Sequence, residues 1–216
     1  MEAVVMFLII GAIAVVLGIA VYRGASRRRD AFRTVANEMS LEFRPDFTEL
    51  IADLSAGGVL RRGRSHRVKN VLVGTRGSLR VALADLSYMT GSGSGLLSHT
   101  ESICVLRGHG LGLKTFVVHG SPPALAGDSG LRFADDPEFS RSYVLQGEDE
   151  EATRMLFGPE VRTHLLKLTD RPVRIEGGDE MLMLAHRPLV PPTELCALLA
   201  QTTKLLELLS TARTDR

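Results

Sequence analysis

The fold is decided by residues 68–83, which read Val68-Lys69-Asn70-Val71-Leu72-Val73-Gly74-Thr75-Arg76-Gly77-Ser78-Leu79-Arg80-Val81-Ala82-Leu83. The two flanks are rich in β-branched and other apolar residues, which favours strands. Between them, residues 74–77 supply the glycines that a tight turn needs. This stretch therefore predicts an antiparallel β-hairpin.

The strand pattern continues toward the C-terminus. Further strands are predicted at residues 102–106, 114–118, 142–145, 173–176 and 181–185. The first two flank a glycine-rich loop and are predicted to pair with each other, and the last two form another hairpin. Because consecutive strands joined by short turns pair antiparallel, the expected fold class is α+β, with a mainly antiparallel sheet and helices packed on it.

The chain ends in a predicted helix that opens after Pro191-Pro192 and runs to about Ala212. A heptad spacing relates Leu195, Leu198, Thr202, Leu205, Leu209 and Ala212, with the polar Thr202 in the middle. Such a seam can join copies of the chain in a homo-oligomer. Further leucines broaden the apolar face, which favours packing onto the sheet of the same domain.

Toward the N-terminus, residues 23–41 are predicted as an amphipathic juxtamembrane helix. The spacing of Phe32, Val35, Ala36 and Met39 places these side chains on one helix face. A single domain is then expected over residues 42–216.

Residues 1–22 are predicted as a transmembrane anchor. Residues 3–22 are apolar without interruption, and a helix of that length measures about 30 Å, the thickness of the hydrocarbon core of a bilayer. A cleavable signal peptide would carry positive charge before the apolar run and small residues after it. Here Glu2 precedes the run and Tyr22-Arg23-Gly24-Ala25 follows it, so we predict an uncleaved, single-pass anchor in the bilayer.

The charges around the anchor predict its orientation. Arginines follow the apolar run at positions 23, 27, 28, 29 and 33, whereas none precedes it. By the positive-inside rule the N-terminus lies outside and the domain lies in the cytoplasm, at the cell inner membrane. Cys104 and Cys196 are far apart and are expected to be reduced.

A second basic run, Arg61, Arg62, Arg64, Arg67 and Lys69, opens the predicted sheet. Positive residues on an edge strand block edge-to-edge aggregation. In a domain tethered beside a membrane, the same residues would contact anionic lipid headgroups. Both interpretations stay open at this point.

Sequence motifs for chemistry are few. No GxxxxGK[ST] loop occurs, and Gly91-Ser92-Gly93-Ser94-Gly95 has the spacing of a flexible strand connection rather than of a nucleotide loop. His99, Cys104 and His109 lie close in sequence, but a fourth zinc ligand is not evident. We therefore assign no catalytic, metal or cofactor-binding residue and expect no cofactor.

Charge and composition argue against nucleic-acid binding. The net charge is +1; residues 1–76 carry 12 Lys and Arg against 7 Asp and Glu, and residues 77–216 carry 14 against 18. A nucleic-acid binder would show a much larger basic excess. Aromatic residues make up 5% of the chain and Trp is absent, which disfavours a base-stacking surface.

Several stretches share a pattern with known proteins. They are Leu60-Arg61-Arg62-Gly63, residues 68–74, Leu83-Ala84-Asp85-Leu86-Ser87-Tyr88, residues 133–141, and Tyr143-Val144-Leu145 before an acidic helix. On these stretches residues 31–206 resemble an uncharacterised family of bacterial proteins that are often membrane-anchored. Ala84 departs from the pattern, in which a bulky apolar residue is more usual. The resemblance implies a bacterial origin and one domain, and it implies no catalytic residue.

The sequence thus favours a membrane-anchored, non-enzymatic module that acts by binding to a protein or to the lipid surface. The alternative is an enzyme whose site comes together only in the fold, which would require a deep cavity lined by converging polar side chains.

Overall fold

The structure is a computed structural model. It describes residues 2–56, 60, 63–120, 130–168 and 173–214. Among residues 2–22, side chains are described only at Met6, Val15, Ile19 and Tyr22.

One antiparallel sheet forms the centre of the domain. Its strands are β1 (Glu42–Arg44), β2 (Arg64–Arg76), β3 (Leu79–Thr90), β4 (Leu97–Arg107), β5 (Phe116–Gly120), β6 (Tyr143–Gly147), β7 (Val173–Gly178) and β8 (Met181–His186). Their order across the sheet is β1-β2-β3-β4-β8-β7-β5-β6, and every neighbouring pair is antiparallel.

The helices are α1 (Glu2–Glu38), α2 (Glu49–Ala56), α3 (Pro137–Ser142), α4 (Glu150–Leu156), α5 (Pro159–Leu166) and α6 (Leu195–Thr214). Two short 3₁₀ turns cover Gly93–Gly95 and Pro192–Glu194. Side chains from α1 and from α3 to α6 share a buried cluster with one face of the sheet, which we call the helical face. The opposite face packs against α2 through Leu50 and Leu54 in a second, smaller cluster.

The alternation of residues along the central strands separates these two clusters. Leu83, Cys104 and Leu184 belong to the helical face, whereas Ala84 and Ile103 belong to the opposite face. Successive side chains of a strand point to opposite faces, so one sheet serves two cores. Burial in the helical face raises the pKa of the Cys104 thiol to about 12, which keeps this cysteine protonated.

Helix α1 is continuous from Glu2 to Glu38. Its C-terminal third enters the helical face through Phe32, Val35 and Ala36, and Met39 follows directly after the helix; all four are buried. Within the described part of the chain, no helix meets the length and apolarity that a membrane crossing requires. The predicted anchor falls on residues of which most side chains lie outside the described part.

The predicted fold class is confirmed in its coarse form, as an α+β domain with an antiparallel sheet and helices packed on it. Residues 68–83 form a hairpin, although its strands extend to Arg76 and from Leu79, which moves the turn to Gly77-Ser78. The predicted juxtamembrane helix ends at Glu38 rather than at residue 41.

The predicted pairing of residues 102–106 with residues 114–118 is wrong. The hairpin of β7 and β8 lies between β4 and β5, so that β4 pairs with β8 and β5 pairs with β7. The glycine-rich loop at residues 108–112 therefore crosses the end of this hairpin, where Gly108 N–H donates to the Glu180 carbonyl at 3.0 Å.

The final helix packs within the domain. In α6 the heptad residues Leu195, Leu198, Thr202, Leu205 and Leu209 are at most 2% exposed. Because these side chains are buried in the helical face, the structure supports the intramolecular interpretation of the spacing.

Candidate functional site

A largely buried ion pair joins helix α1 to the centre of the sheet. Arg28 Nε donates to Asp85 Oδ2 and Arg28 Nη2 donates to Asp85 Oδ1, each over 2.7 Å. The two side chains are 19% and 7% exposed. The guanidinium also lies 5.1 Å from the centroid of the buried Phe32 ring. Because a bidentate pair sets both distance and orientation, this contact holds α1 in one position over β3.

Two neighbouring strands complete the surroundings of the Asp85 carboxylate. Asn70 Nδ2 donates to Oδ2 over 2.9 Å, and Ser102 Oγ donates to Oδ1 over 3.4 Å. The Ser102 hydroxyl in turn accepts from Arg28 Nη2 at 3.3 Å and from the backbone N–H of Val190 at 2.9 Å. We call these five residues the junction, because they connect α1, β2, β3, β4 and the segment before α6.

Local backbone geometry brings Asn70 to this site. It has a φ of 51° and lies where the register between β2 and β3 shifts. Asparagine tolerates this left-handed conformation better than most residues, and such bulges redirect side chains. The bulge in β2 thereby places the Asn70 amide on Asp85.

The predicted basic run is divided between described and undescribed residues. Arg61 and Arg62 lie outside the described residues. Arg64, Arg67 and Lys69 lie on β2, opposite Met89, Ser87 and Asp85 in the register, and all three are exposed. We call these three residues the basic strand.

The basic strand occupies an edge of the sheet. Strand β1 pairs with β2 only at residues 71–73, so residues 64–69 have a strand neighbour on one side only among the described residues. Among the described residues, Arg64, Arg67 and Lys69 form no ion pair and no side-chain hydrogen bond. These cations are therefore suited both to block edge-to-edge pairing and to meet an anionic surface.

A second polar cluster is buried on the opposite face of the sheet. Tyr88 Oη donates to Glu101 Oε1 over 2.6 Å, and Arg174 donates to Glu101 Oε2 through Nη2 at 2.7 Å and Nε at 3.1 Å. Arg174 also pairs with Glu176. These four residues are at most 5% exposed. Burial works against the charged form of Arg174, but the charges of Glu101 and Glu176 outweigh it and raise the pKa of the guanidinium.

A cavity of about 360 Å³ opens beside this cluster. Its described lining includes His119, Gln146, Glu148, Arg174 and Glu176. These are polar side chains of the kind that the enzyme alternative requires. However, Arg174 directs its hydrogen bonds to Glu101 and Glu176, and its raised pKa makes it a poor proton donor at neutral pH. The cluster therefore has the character of a structural ion network.

The residues considered for zinc do not converge. His99 and Cys104 lie on opposite faces of β4, since His99 stacks on Tyr88 whereas Cys104 belongs to the helical core. His109 is exposed and contacts Glu180 at 2.8 Å. Among the described residues, no group of three or more His, Cys, Asp or Glu side chains is arranged to hold a metal ion.

Sequence reasoning missed both clusters. In the sequence, Arg28 is one of the arginines that predict the topology, and Asp85 and Tyr88 belong to a stretch that carries the family resemblance. Arg28 and Asp85 are 57 residues apart, and Glu101 and Arg174 are 73 apart. The signal that could have found Asp85 is a charged residue at a core position of a strongly apolar strand.

Comparisons with known proteins place the fold. The chain is similar to the crystal structure of the mycobacterial trehalose monomycolate transport factor A, TtfA, with a TM-score of 0.56 and 15% sequence identity, over 88% of this chain and 94% of that one. Neither a protein-family model nor a curated protein matches the chain. At this identity the likeness shows a shared fold.

We expect Asp85→Asn to lower the free energy of unfolding by about 2–4 kcal/mol, because Arg28 would stay charged in a largely buried position without its counter-charge. Urea denaturation of the full chain in detergent, followed by circular dichroism, measures this loss. Trypsin should also cut after Arg27 and Arg33 sooner than in the unaltered protein, since α1 would leave the sheet more often.

The matched control for the junction is Asp30→Asn on the same helix. Asp30 lies 3.7 Å from Arg33 in an exposed pair, so its loss should cost less than about 1 kcal/mol. Equal stability and equal cleavage of the two variants would contradict the role of the junction.

Arg174→Met should cost about 3–5 kcal/mol of unfolding free energy, because it leaves the carboxylates of Glu101 and Glu176 buried without a cation. The same denaturation experiment applies. Lys204→Met removes a cation from an exposed pair with Glu207 and should cost less than about 1 kcal/mol. If Arg174→Met were as stable as this control, the network would not have the structural role assigned to it.

Proposed function

We propose that the protein is a single-pass membrane-anchored binding module that serves lipid transport in a bacterial envelope, without an enzymatic step of its own. The observation that carries this proposal is helix α1, which runs unbroken from Glu2 to Glu38 and is fixed to the sheet at its C-terminal third. A domain built onto the end of such a helix cannot move independently of it.

The proposed anchor is the apolar run at residues 3–22. At about 1.5 Å per residue these residues cover the hydrocarbon core, and residues 23–38 add a helical segment of about 24 Å. Four described side chains of the first 22 residues are between 47% and 76% exposed, and they are Met6, Val15, Ile19 and Tyr22. Apolar side chains that the domain leaves uncovered fit contact with lipid.

The arginine asymmetry supports a cytoplasmic position for the domain. Arg28 is committed to Asp85, but Arg23, Arg27, Arg29 and Arg33 are exposed after the apolar run. We therefore propose that the N-terminus lies outside and the domain lies on the cytoplasmic side of the inner membrane.

The role in lipid transport is supported by the fold. The structural neighbour is described as a transport factor for trehalose monomycolate, and most of both chains is covered by the match. We propose that the present chain acts in the transport of an envelope lipid by binding a protein of that process or the lipid surface itself. Nucleic acid is not among the proposed partners.

The topology is tested by reporter fusions to the full chain. A reporter active only in the cytoplasm should work on the C-terminus, whereas one active only outside the inner membrane should not. Intact-mass measurement of membrane-extracted protein should find residues 1–22 retained. A mature N-terminus near Ala25, or the opposite reporter pattern, would overturn the proposed anchor or its orientation.

The lipid-transport role predicts that loss of the chain shifts envelope lipid inward. In a bacterium that lacks the chain, newly made envelope lipid should accumulate at the inner membrane, as measured by radiolabelling and membrane fractionation. The full chain should restore the distribution, whereas the chain without residues 2–22 should not. An unchanged lipid distribution in the deletion strain would contradict this role while leaving the anchor intact.

A further inference from the structure

Exposed apolar side chains are concentrated in two segments of the described chain. Eight large apolar side chains are exposed: four in the first 22 residues of α1, three near the β3–β4 connection, and Met155 on α4. The three are Met89, Leu96 and Leu97, which are 39%, 43% and 61% exposed. We call residues 89–97 the hairpin tip. A water-soluble surface rarely groups large apolar side chains without a partner.

The direction of α1 relates these two segments. Near its end, the Met39 carbonyl accepts a hydrogen bond from Arg76, next to the start of β3. Eleven residues earlier, Arg28 bonds to Asp85, in the middle of β3. Toward its N-terminus the helix therefore advances along β3 in the direction of Thr90. The apolar part of α1 leaves the domain at the same end as the hairpin tip.

The lengths of the two elements bring the tip to the level of the proposed membrane surface. From Arg28 back to Tyr22 the helix covers about 9 Å, and from Asp85 to Thr90 the strand covers about 17 Å. Even if helix and strand cross at about 45°, the strand still advances about 12 Å along the helix axis. The hairpin tip therefore reaches at least as far as Tyr22, where the apolar run ends.

The basic strand lies beside this tip. Arg64 is opposite Met89, and Arg67 is opposite Ser87. Residues directly opposite in an antiparallel pair share a face of the sheet, and Asp85 on that face contacts α1. A group of exposed apolar side chains next to exposed cations is the composition that suits the headgroup layer of an anionic bilayer.

We propose that the hairpin tip and the basic strand form a second contact with the bilayer: Met89, Leu96 and Leu97 enter the headgroup layer, and Arg64, Arg67 and Lys69 face anionic headgroups. This inference rests on the anchor proposed above. Together the two contacts fix the tilt and rotation of the domain on the membrane, which a single helix leaves free. The occupant of this surface is the lipid, not a second protein.

The absence of Trp from the chain allows a direct test. The full-length Leu97→Trp variant is reconstituted into vesicles of phosphatidylcholine and phosphatidylglycerol. Its tryptophan emission should shift to shorter wavelength on reconstitution, and lipids brominated on their acyl chains should quench it. Met155→Trp, at the exposed apolar residue on α4, should keep the emission of a water-exposed indole and resist quenching.

The contribution of the positive charges of the basic strand is tested by adding Arg64→Gln, Arg67→Gln and Lys69→Gln to the Leu97→Trp variant. Quenching should decrease in these vesicles and approach the value measured in phosphatidylcholine alone, because the attraction to anionic headgroups is removed. Lys204→Gln serves as the matched control and should leave the quenching unchanged.

The outcomes separate this inference from the anchor. If the full chain floats with vesicles but the tryptophan emission and quenching of Leu97→Trp equal those of Met155→Trp, the second contact is wrong and the proposed anchor is retained. If the full chain does not float with vesicles, the proposed anchor is wrong, and the second contact, which rests on it, is wrong as well. Strong quenching that the three Gln substitutions leave unchanged would overturn the part assigned to the basic strand.

Discussion

The arrangement of the molecule depends on one carboxylate that is nearly removed from water. Asp85 receives donors from α1, β2 and β4, through Arg28, Asn70 and Ser102. A charge at such a depth is stable only when it is paired and its lone pairs are used. Because its partners come from separate segments, only one placement of α1 on the sheet meets this requirement. The apolar contacts of Phe32 hold the helix to the sheet, and the junction sets its position along the strands.

A second group of paired, buried charges lies on the opposite face of the sheet. Arg174 lies between Glu101 and Glu176, and Tyr88 completes the coordination of Glu101. The two clusters satisfy buried charge on opposite faces, where small changes in register would separate the partners. We expect both clusters to favour this strand order, because apolar cores tolerate alternative packings that paired buried charges do not.

The sequence predicts individual helices and hairpins better than it predicts which strands pair across the sheet. The spacing of apolar residues and the turn residues were sufficient to predict the hairpins at residues 68–83 and 173–185. The same spacing favoured the packing of α6 on the sheet. These patterns failed for the partner of residues 102–106, because the partner strand β8 comes from Met181–His186, far along the chain, and no local pattern at β4 indicates it. The junction and the hairpin tip are equally hard to predict from the sequence, because their residues are far apart in the chain or become exposed only through the fold. Arg28 looks like any arginine of its run, and Met89, Leu96 and Leu97 look like core residues until the fold shows that they are exposed.

A rigid connection between the proposed anchor and the domain would restrict which partners the protein can bind. With a flexible linker, the domain would sample many heights and orientations, and a partner could meet any of its faces. With α1 fixed by the junction, the proposed anchor would give each surface of the domain a set height above the bilayer. The β2–β3 turn at Gly77-Ser78 lies at the end of β3 remote from the hairpin tip. A partner that is itself held in the membrane would then meet the domain at a defined level, and a fixed geometry raises the effective concentration only for sites at that level. The function proposed here, binding at a membrane during lipid transport, is one that such a restriction would make selective.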